Sequence, residues 1–570
     1  MRAYLEVRYK IEDKLSEEKN AHHVSQLKPG WTIWRIIAPG EQDIFTFYIA
    51  IPPTFPDQLP KFYLCEDQFV KFGQLPHVDR YRMVCTRNEE VVVLNDSQPG
   101  EAAEELLRAA IEILDAGLRG DLGRDFEEEF LAYWNDQAEV RALLINKPKN
   151  IPVTIRGFKF ANSLFGTDYI IAESKFQATE WLNRLSAQTA LFEETELLCL
   201  SLPNVPKSLP ATNRNIIALV DGLDTKSRHA FNSFHGNIIL ASIPRGNDQM
   251  FFSWWHIPIP VSGFRPKKGV VPLRIAISKS PAERIVKCSV KRFDRERLIR
   301  RVTDLKIIEE EDLRIGIVGC GSVGSGLVML LAKSGCGKFT LIDPDVLTEE
   351  NVARHLCGCY EVATTNKKVE AVKTMVERHL PFVSCDIRDK DILEVLITEP
   401  QILADCKIVI FATANMGAER RANDFFQLEI PKPVVYLWLE PFGIAGQMVY
   451  VSPTQGGCYR CCLGANGDFR FSVAAKGQDL TRREAGCQVT FTPYGAADLE
   501  MFCAIACKEI LRIIQKLPEK SQLITWIGDK EQFQSAGYKI DDSFAAHESY
   551  SLHRRNIVKE EHCEICKRKT

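Results

Sequence analysis

Between Leu313 and Lys373 the chain reads LRIGIVGCGSVGSGLVMLLAKSGCGKFTLIDPDVLTEENVARHLCGCYEVATTNKKVEAVK, and no other stretch narrows the fold as far. An apolar run ends in Gly319-x-Gly321-x-x-Gly324, a helix of small residues follows, and a second apolar run ends at Asp343. That is the order of a nucleotide-binding βαβ unit. The first glycine makes the tight turn, the second admits phosphate close to the backbone, and the third lets the helix pack on the sheet. The helix N-terminus then offers unpaired N–H groups to an anion. The glycines alone would also suit a dehydrogenase. Asn351, Arg354 and Lys368, which follow, have no use in hydride transfer and suit a triphosphate.

A chain of 570 residues has room for three or four domains. Its net charge of −3 argues against a general polyanion binder, and no basic stretch with interleaved aromatics points to nucleic acid. The opening MRAYLEVRYKIEDK lacks the apolar core of a signal peptide. Glycines and Lys333 interrupt Ile315–Ile342, so it reads as buried strand–helix–strand and not as a membrane span. Eighteen cysteines without a signal peptide then point to reduced thiols, metal ligands or nucleophiles, and to a cytoplasmic protein.

Residues 1–145 begin with two runs rich in β-branched and aromatic residues, Thr32–Ile36 and Phe45–Ile51, expected as an antiparallel meander. A proline-rich crossover from Pro52 to Pro60 leads to a short strand, KFYLC, whose Cys65 is expected in the core. Leu106, Leu107, Ala110, Ile111 and Leu114 form one helical stripe, and a second helix carries Phe126, Phe130, Leu131 and Trp134. Cys85, standing alone, reads as a small buried hydrophobe.

This order resembles the ubiquitin-conjugating enzyme fold. The resemblance is carried by Phe55-Pro56-x-x-x-Pro60, by LPHVDRYRMVC ending at Cys85, and by Glu129-Phe130-x-x-Tyr133-Trp134. It implies that Cys85 is a thioester-forming nucleophile. The family's His-Pro-Asn stands here as Leu75-Pro76-His77, so the asparagine that supports the oxyanion is missing. A neutral His77 imidazole could donate a hydrogen bond in its place.

Pro148–Pro152 reads as a linker, and residues 146–300 as an α+β domain of their own. Strands are expected at Asn215–Val220, Asn237–Ile243, Phe251–Ile257 and Val270–Ile277. His229, His235 and His256 lack metal-ligand spacing, and nothing here carries nameable chemistry.

In residues 301–570, Leu341-Ile-Asp343-x-Asp345, Asn351, Arg354 and Asn366-Lys367-Lys368 resemble the ThiF/MoeB and ubiquitin-activating adenylyltransferases. The resemblance implies a Rossmann-like domain that binds ATP through the glycines, with Asp343 on the ribose hydroxyls, Asn351 and Arg354 on the phosphates, and Lys368 neutralising the triphosphate. Screening phosphates from an attacking carboxylate needs converging cations, although one helical lysine more often lies in solvent. The family also implies a homodimer in which an arginine ahead of the domain, Arg300 or Arg301, enters the partner's ATP site. Where relatives place an Mg²⁺-binding aspartate, this chain has Thr413-Ala414-Asn415, which leaves Asp345 as an alternative ligand.

Gly457-Cys458-Tyr459-Arg460-Cys461 and His562-Cys563-Glu564-Ile565-Cys566 supply two C-x-x-C knuckles. Cys458, Cys461, Cys563 and Cys566 suit a structural tetrahedral Zn²⁺ site, with a redox dithiol as the alternative. Cys462 is not expected to be a ligand. Cys503 and Cys507 fall on one face of an apolar helix and read as core. Cys487, in Arg483-Glu484-Ala485-Gly486-Cys487-Gln488, sits on a glycine hinge among polar residues. It is the second candidate nucleophile, against an inert loop cysteine.

The fold class expected is therefore a multidomain α/β and α+β chain, with a conjugating-like domain ahead of an adenylation domain. It resembles the bacterial activating–conjugating fusions of CBASS anti-phage operons, the CD-NTase-associated protein family. That resemblance implies an ATP-dependent protein ligase. Its donor would be a protein ending in a glycine carboxylate, the operon's cGAS/DncV-like nucleotidyltransferase, and its acceptors lysines of target proteins. Two other readings stand beside it: a sulfur-carrier adenylyltransferase with a docking N-terminal domain, and a nucleotide-binding scaffold without turnover.

Overall fold

The computed structural model describes residues 21–24, 31–55, 57–86, 99–160, 166, 168–185, 191–246, 248–257, 271–302, 313–365, 367–483 and 490–568. It divides into two compact units, residues 1–179 with 189–293, and residues 180–188 with 294–570.

The first unit opens with an antiparallel sheet whose strands follow chain order: β1 (Ala21–Val24), β2 (Thr32–Pro39), β3 (Ile44–Ile51), β4 (Lys61–Leu64) and β5 (Met83–Val84). Alternation along β2 and β3 turns Trp34, Ile36, Phe45, Phe47 and Ile49 to one face, since successive side chains point to opposite faces. Helix α1 (Glu66–Phe72) follows β4 directly. The expected stripe of Leu106, Ala110 and Leu114 on α2 (Pro99–Arg119) covers the sheet. Helix α3 (Gly123–Asp136) instead turns Phe126, Phe130, Tyr133 and Trp134 into the core of the following domain.

That domain is a closed seven-stranded barrel, in the order Ile238–Arg245, Asp248–His256, Ile285–Arg292, Val140–Leu144, Tyr169–Ala172, Val153–Phe160 and Leu191–Ser201. Its first strand, Val140–Leu144, thus lies within residues 1–145. Two strand expectations fail here. Asn213–Asp221 is a helix (α4), started by the Thr212/Asn215 capping box, and Leu273–Ser278 is a helix (α5) that begins after Pro272. Each segment buries apolar residues four apart, Ile216 with Val220 and Leu273 with Ile277, a pattern too short to separate helix from strand by periodicity. The other two expected strands are present.

The second unit is built on an eight-stranded sheet. Five strands are parallel, in the spatial order Ser384–Arg388, Lys338–Ile342, Arg314–Val318, Ile408–Phe411 and Val434–Leu439. Three antiparallel strands, Ala445–Val451, Gln522–Ile527 and Leu552–Asn556, extend it. Helices α6 (Ser322–Lys333), α7 (Lys368–His379), α8 (Met416–Leu428) and α9 (Ala496–Gln515) position the site or cover the sheet. Strand order reverses at Arg314–Val318, where an open parallel sheet leaves a crevice beyond its strand ends. Cys503 and Cys507 on α9 are buried, as their spacing implies. Among the described residues no helix is long and apolar enough to cross a membrane.

Candidate adenylation and thioester sites

The three glycines each meet a different constraint. Gly319 has φ of +90°, and a Cβ there would lie 2.6 Å from the Ala412 carbonyl oxygen. Gly321 caps α6 and faces open space, with nothing within 4 Å of a Cβ. Gly324 packs the helix onto the loop so closely that a Cβ would lie 1.9 Å from the Gly319 oxygen. The loop is held from outside. Asp343 is buried and accepts from Cys320 N–H at 2.6 Å and Asp345 N–H at 2.8 Å. Burial raises its carboxyl above the usual range, against the pull of those two N–H groups.

Arg354 ends a 3₁₀ turn, Glu349–Arg354, whose start is closed by Asn351: its Oδ1 accepts from Thr348 N–H at 3.1 Å. The Arg354 guanidinium lies over the Tyr494 ring, 5.2 Å from its centre. Sequence reasoning passed over His355. Its Nδ1 accepts from Cys357 N–H at 3.0 Å, so Nε2 bears the proton and donates to the Cys320 carbonyl at 2.7 Å. Burial lowers its basicity, which suits the neutral ring. The histidine thereby ties the arginine-bearing turn to the glycine loop; no motif marks it, only its place beside Arg354.

Lys368 is not a solvated surface lysine. Its side chain is 11% exposed, and Nζ pairs with Asp345 Oδ2 at 2.9 Å. Ala414 lies at the end of Ile408–Phe411 with φ of +50°. Beside it Thr413 Oγ1 donates to Glu419 Oε1 at 2.8 Å, and the other oxygen of the buried Glu419 accepts from Tyr459 Oη at 2.6 Å. Tyr459 belongs to the first cysteine knuckle, so this chain of bonds joins the knuckle to the loop that presses on Gly319.

Cys458, Cys461, Cys563 and Cys566 are buried with all four sulfurs within 4.8 Å of one another. Cys458 and Cys563 lie 3.6 Å apart, as do Cys461 and Cys566. A tetrahedral ion with bonds of about 2.3 Å sets its sulfurs about 3.8 Å apart, so the cluster fits one zinc. Cys462 is buried outside it.

Cys487 lies outside the described residues. Its flanks pair as a short hairpin, Arg482 with Phe491 and Arg483 with Thr490. The downstream flank is anchored by the Phe442 N–H, which donates to the Pro493 carbonyl at 2.6 Å. Arg300 and Arg301 are exposed.

In the first unit, LPHVDRYRMVC is a hairpin. Val78 bridges Val84, and Cys85 N–H donates to the His77 carbonyl at 2.7 Å. Cys85 is exposed, while desolvation, Asp79 and Glu129 all push its thiol upward. His77 is not the neutral donor expected. Its Nδ1 lies 3.0 Å from Glu129 Oε1 and its Nε2 3.1 Å from Asp125 Oδ2. The Glu129 bond, with Asp125 adding to it, outweighs desolvation and pushes the imidazole up to about 9. Both ring N–H groups are therefore committed to carboxylates. Cys65 is half-buried, not core, and its Sγ lies 3.3 Å from Gln68 Oε1.

Compared with known families, residues 294–540 match the ThiF family and residues 15–143 the prokaryotic E2 family B. One chain thus fuses a prokaryotic E2 region to a ThiF region. Two relatives span both halves. The fusion is 24% identical to an "ATP-dependent ubiquitin transferase-like protein Cap2" of Pseudomonas aeruginosa, over 79% of this chain and 81% of the relative. It is 23% identical to the Vibrio cholerae protein of the same description, over 80% and 84%. Among solved structures, Escherichia coli MccB with MccA-N7isoASN is 16% identical, covering 45% of the fusion and 67% of that chain, with a TM-score of 0.33. The ThiF match and the two relatives that span both halves make the fusion a transferase with adenylation activity.

Proposed function

We propose that the fusion joins the C-terminal glycine of a donor protein to lysines of target proteins through two thioesters. The donor carboxylate attacks the α-phosphate of ATP, expelling pyrophosphate and forming an acyl-adenylate. The Cys487 thiolate displaces AMP; the Cys85 thiolate displaces Cys487; a lysine amine then displaces Cys85 and leaves an amide. Passing the acyl group between thiolates preserves the activation gained from ATP.

The observation that carries this reading is the pairing, in one chain, of a buried Lys368 beside the glycine loop with an exposed Cys85 held at a hairpin end. On the ATP side, Gly319, Gly321 and Gly324 would admit the phosphates and Asp343 the ribose. Asn351 supports the turn that presents Arg354, and Arg354 and Lys368 would screen the incoming carboxylate. Asp345, 64% exposed, offers a carboxylate to Mg²⁺ where Ala414 cannot. The four clustered cysteines would hold a structural Zn²⁺, which fixes the two knuckles together when bound. A homodimer would bring Arg300 or Arg301 to the partner's nucleotide. Resemblance to the anti-phage fusions makes the donor a cGAS/DncV-like nucleotidyltransferase of the same operon.

Incubation with ATP and the products of neighbouring genes, followed by non-reducing gels, tests the relay. Thiol-sensitive adducts should disappear separately in Cys487→Ala and Cys85→Ala. Conjugation surviving in both variants overturns it. Ala414 favours one rival, a scaffold without turnover, for which ATP–pyrophosphate exchange would be absent with every donor.

A further inference from the structure

Cys85 is the last residue of its hairpin, and the rung it makes with His77 is only half formed. Cys85 N–H donates to the His77 carbonyl, but His77 N–H turns away from the hairpin. It donates to Tyr133 Oη at 2.6 Å and Glu129 Oε2 at 3.1 Å. The Tyr133 hydroxyl in turn donates to Glu129 Oε2. Glu129 and Asp125 take the two ring nitrogens. His77 has φ of +60°, a left-handed conformation that side-chain-bearing residues avoid. Asp125, Glu129 and Tyr133 are spaced i, i+4, i+8 on α3, one stripe of one helix. A strained residue gripped at its amide and at both ring nitrogens has been placed by its surroundings.

We propose that Asp125, Glu129 and Tyr133 are positioning residues that hold His77 in its left-handed turn, and that this turn fixes where Cys85 presents its sulfur. This rests on Cys85 being the conjugating thiol. With both ring nitrogens committed to carboxylates, His77 does not replace the absent asparagine as an oxyanion donor; the arrangement instead stiffens the backbone beside the thioester. The groups facing His77 are Asp125, Glu129 and Tyr133 on α3, with Cys85 across the hairpin. Asp79 and Lys61 act on the Cys85 thiol itself. Burial alone would raise the Glu129 carboxyl, but bonds from His77 and Tyr133 bring it below the usual range. The grip is therefore an ion pair at neutral pH, released when the imidazolium loses its proton.

Two measurements on the full chain need neither ATP nor donor: hydrogen exchange at the Cys85 amide, and the pH profile of Cys85 alkylation by iodoacetamide. In Asp125→Asn/Glu129→Gln, which keeps side-chain shape, amide exchange at Cys85 should rise at least tenfold. The alkylation profile should move to lower pH as the carboxylate charge leaves the thiol. Tyr133→Phe should raise exchange without moving the profile. Exchange and alkylation unchanged from the parent in the double variant would overturn the proposal. A parent chain that responds as expected but conjugates nothing would refute the relay and leave the clamp standing.

Discussion

Substituting Gly321 and Gly324 separately tests whether the glycine loop is a phosphate cradle. At Gly324 a methyl group would lie 1.9 Å from the Gly319 oxygen, where ordinary contact begins at 3.4 Å. Helix and loop must part by about 1.5 Å, and both are backbone in a packed interior, so neither can swing aside. Overpacking of this kind costs about 1–3 kcal/mol, and the backbone contact puts it at the upper end. For a unit of this size that lowers the melting transition by roughly 5–10 °C. Gly321→Ala is the converse. Its φ is −74°, and its Cβ would meet nothing within 4 Å. The less favourable N-cap costs about 0.5–1 kcal/mol, and the stiffer unfolded chain returns about the same. Fold stability should stay within about 0.5 kcal/mol of the parent. Nucleotide affinity should not, because the added methyl projects into the open space at the helix N-terminus where phosphate would lie. Calorimetric titration with a non-hydrolysable ATP analogue should show at least tenfold weaker binding, about 1.4 kcal/mol. Gly324→Ala should lose both stability and binding. A Gly321→Ala protein that melts normally and binds nucleotide within twofold of the parent would refute the placement of phosphate here.

Lys368→Met should lower ATP–pyrophosphate exchange by roughly a hundredfold or more, as for loss of a charge aimed at a reacting phosphate; unchanged exchange would return Lys368 to a purely structural pair with Asp345. Ala414→Gly should raise the melting temperature of the ThiF half by a few degrees, since relieving a left-handed alanine is worth about 1 kcal/mol; a fall would show that Ala414 is not strained. Cys563→Ser should abolish bound zinc in elemental analysis and lower the same transition; full zinc content would rule out the cluster. The His77 ion pair stabilises the fold fully below pH 6.5 and is lost as pH rises through about 9, because the folded-state imidazolium is the more basic. Denaturant midpoints of the parent and His77→Gln should therefore differ near pH 6 and converge near pH 10, and a constant difference would contradict the assignment.

The glycine loop was legible because Gly319 and Gly324 answer separate steric demands while Gly321 leaves the helix start open, and the cysteine knuckles because tetrahedral coordination needs that spacing twice. Lys368 was singled out only through resemblance; the structure adds that it is buried and paired with the Asp345 carboxylate, which follows the strand Lys338–Ile342. The strands expected at Asn215–Val220 and Val270–Ile277 failed for a local reason. Their runs are short and apolar, while the signals that decide them, a Thr-x-x-Asn cap and a proline at the helix start, lie at the edges. The neutral His77 failed for a non-local one. Its charge is set by Asp125 and Glu129, about fifty residues downstream, and the polar stripe they form with Tyr133 looks like any solvated helix face until the hairpin lies against it.

Helix α3 serves two domains at once. One set of its side chains grips His77; another, Phe126, Phe130 and Trp134, is sealed into the barrel, with Phe130 5.0 Å from the Phe252 ring and Trp134 Nε1 donating to the Cys288 carbonyl at 3.0 Å. Those three aromatics are each 6% exposed or less, and stripping the barrel away would return them to water at roughly 2–3 kcal/mol apiece. A conjugating-like domain excised near residue 145 would therefore keep this helix with its aromatic face stripped, and so loosen the grip on His77 beside Cys85. Any attempt to graft this half onto another activating enzyme has to carry residues 140–292 along with it.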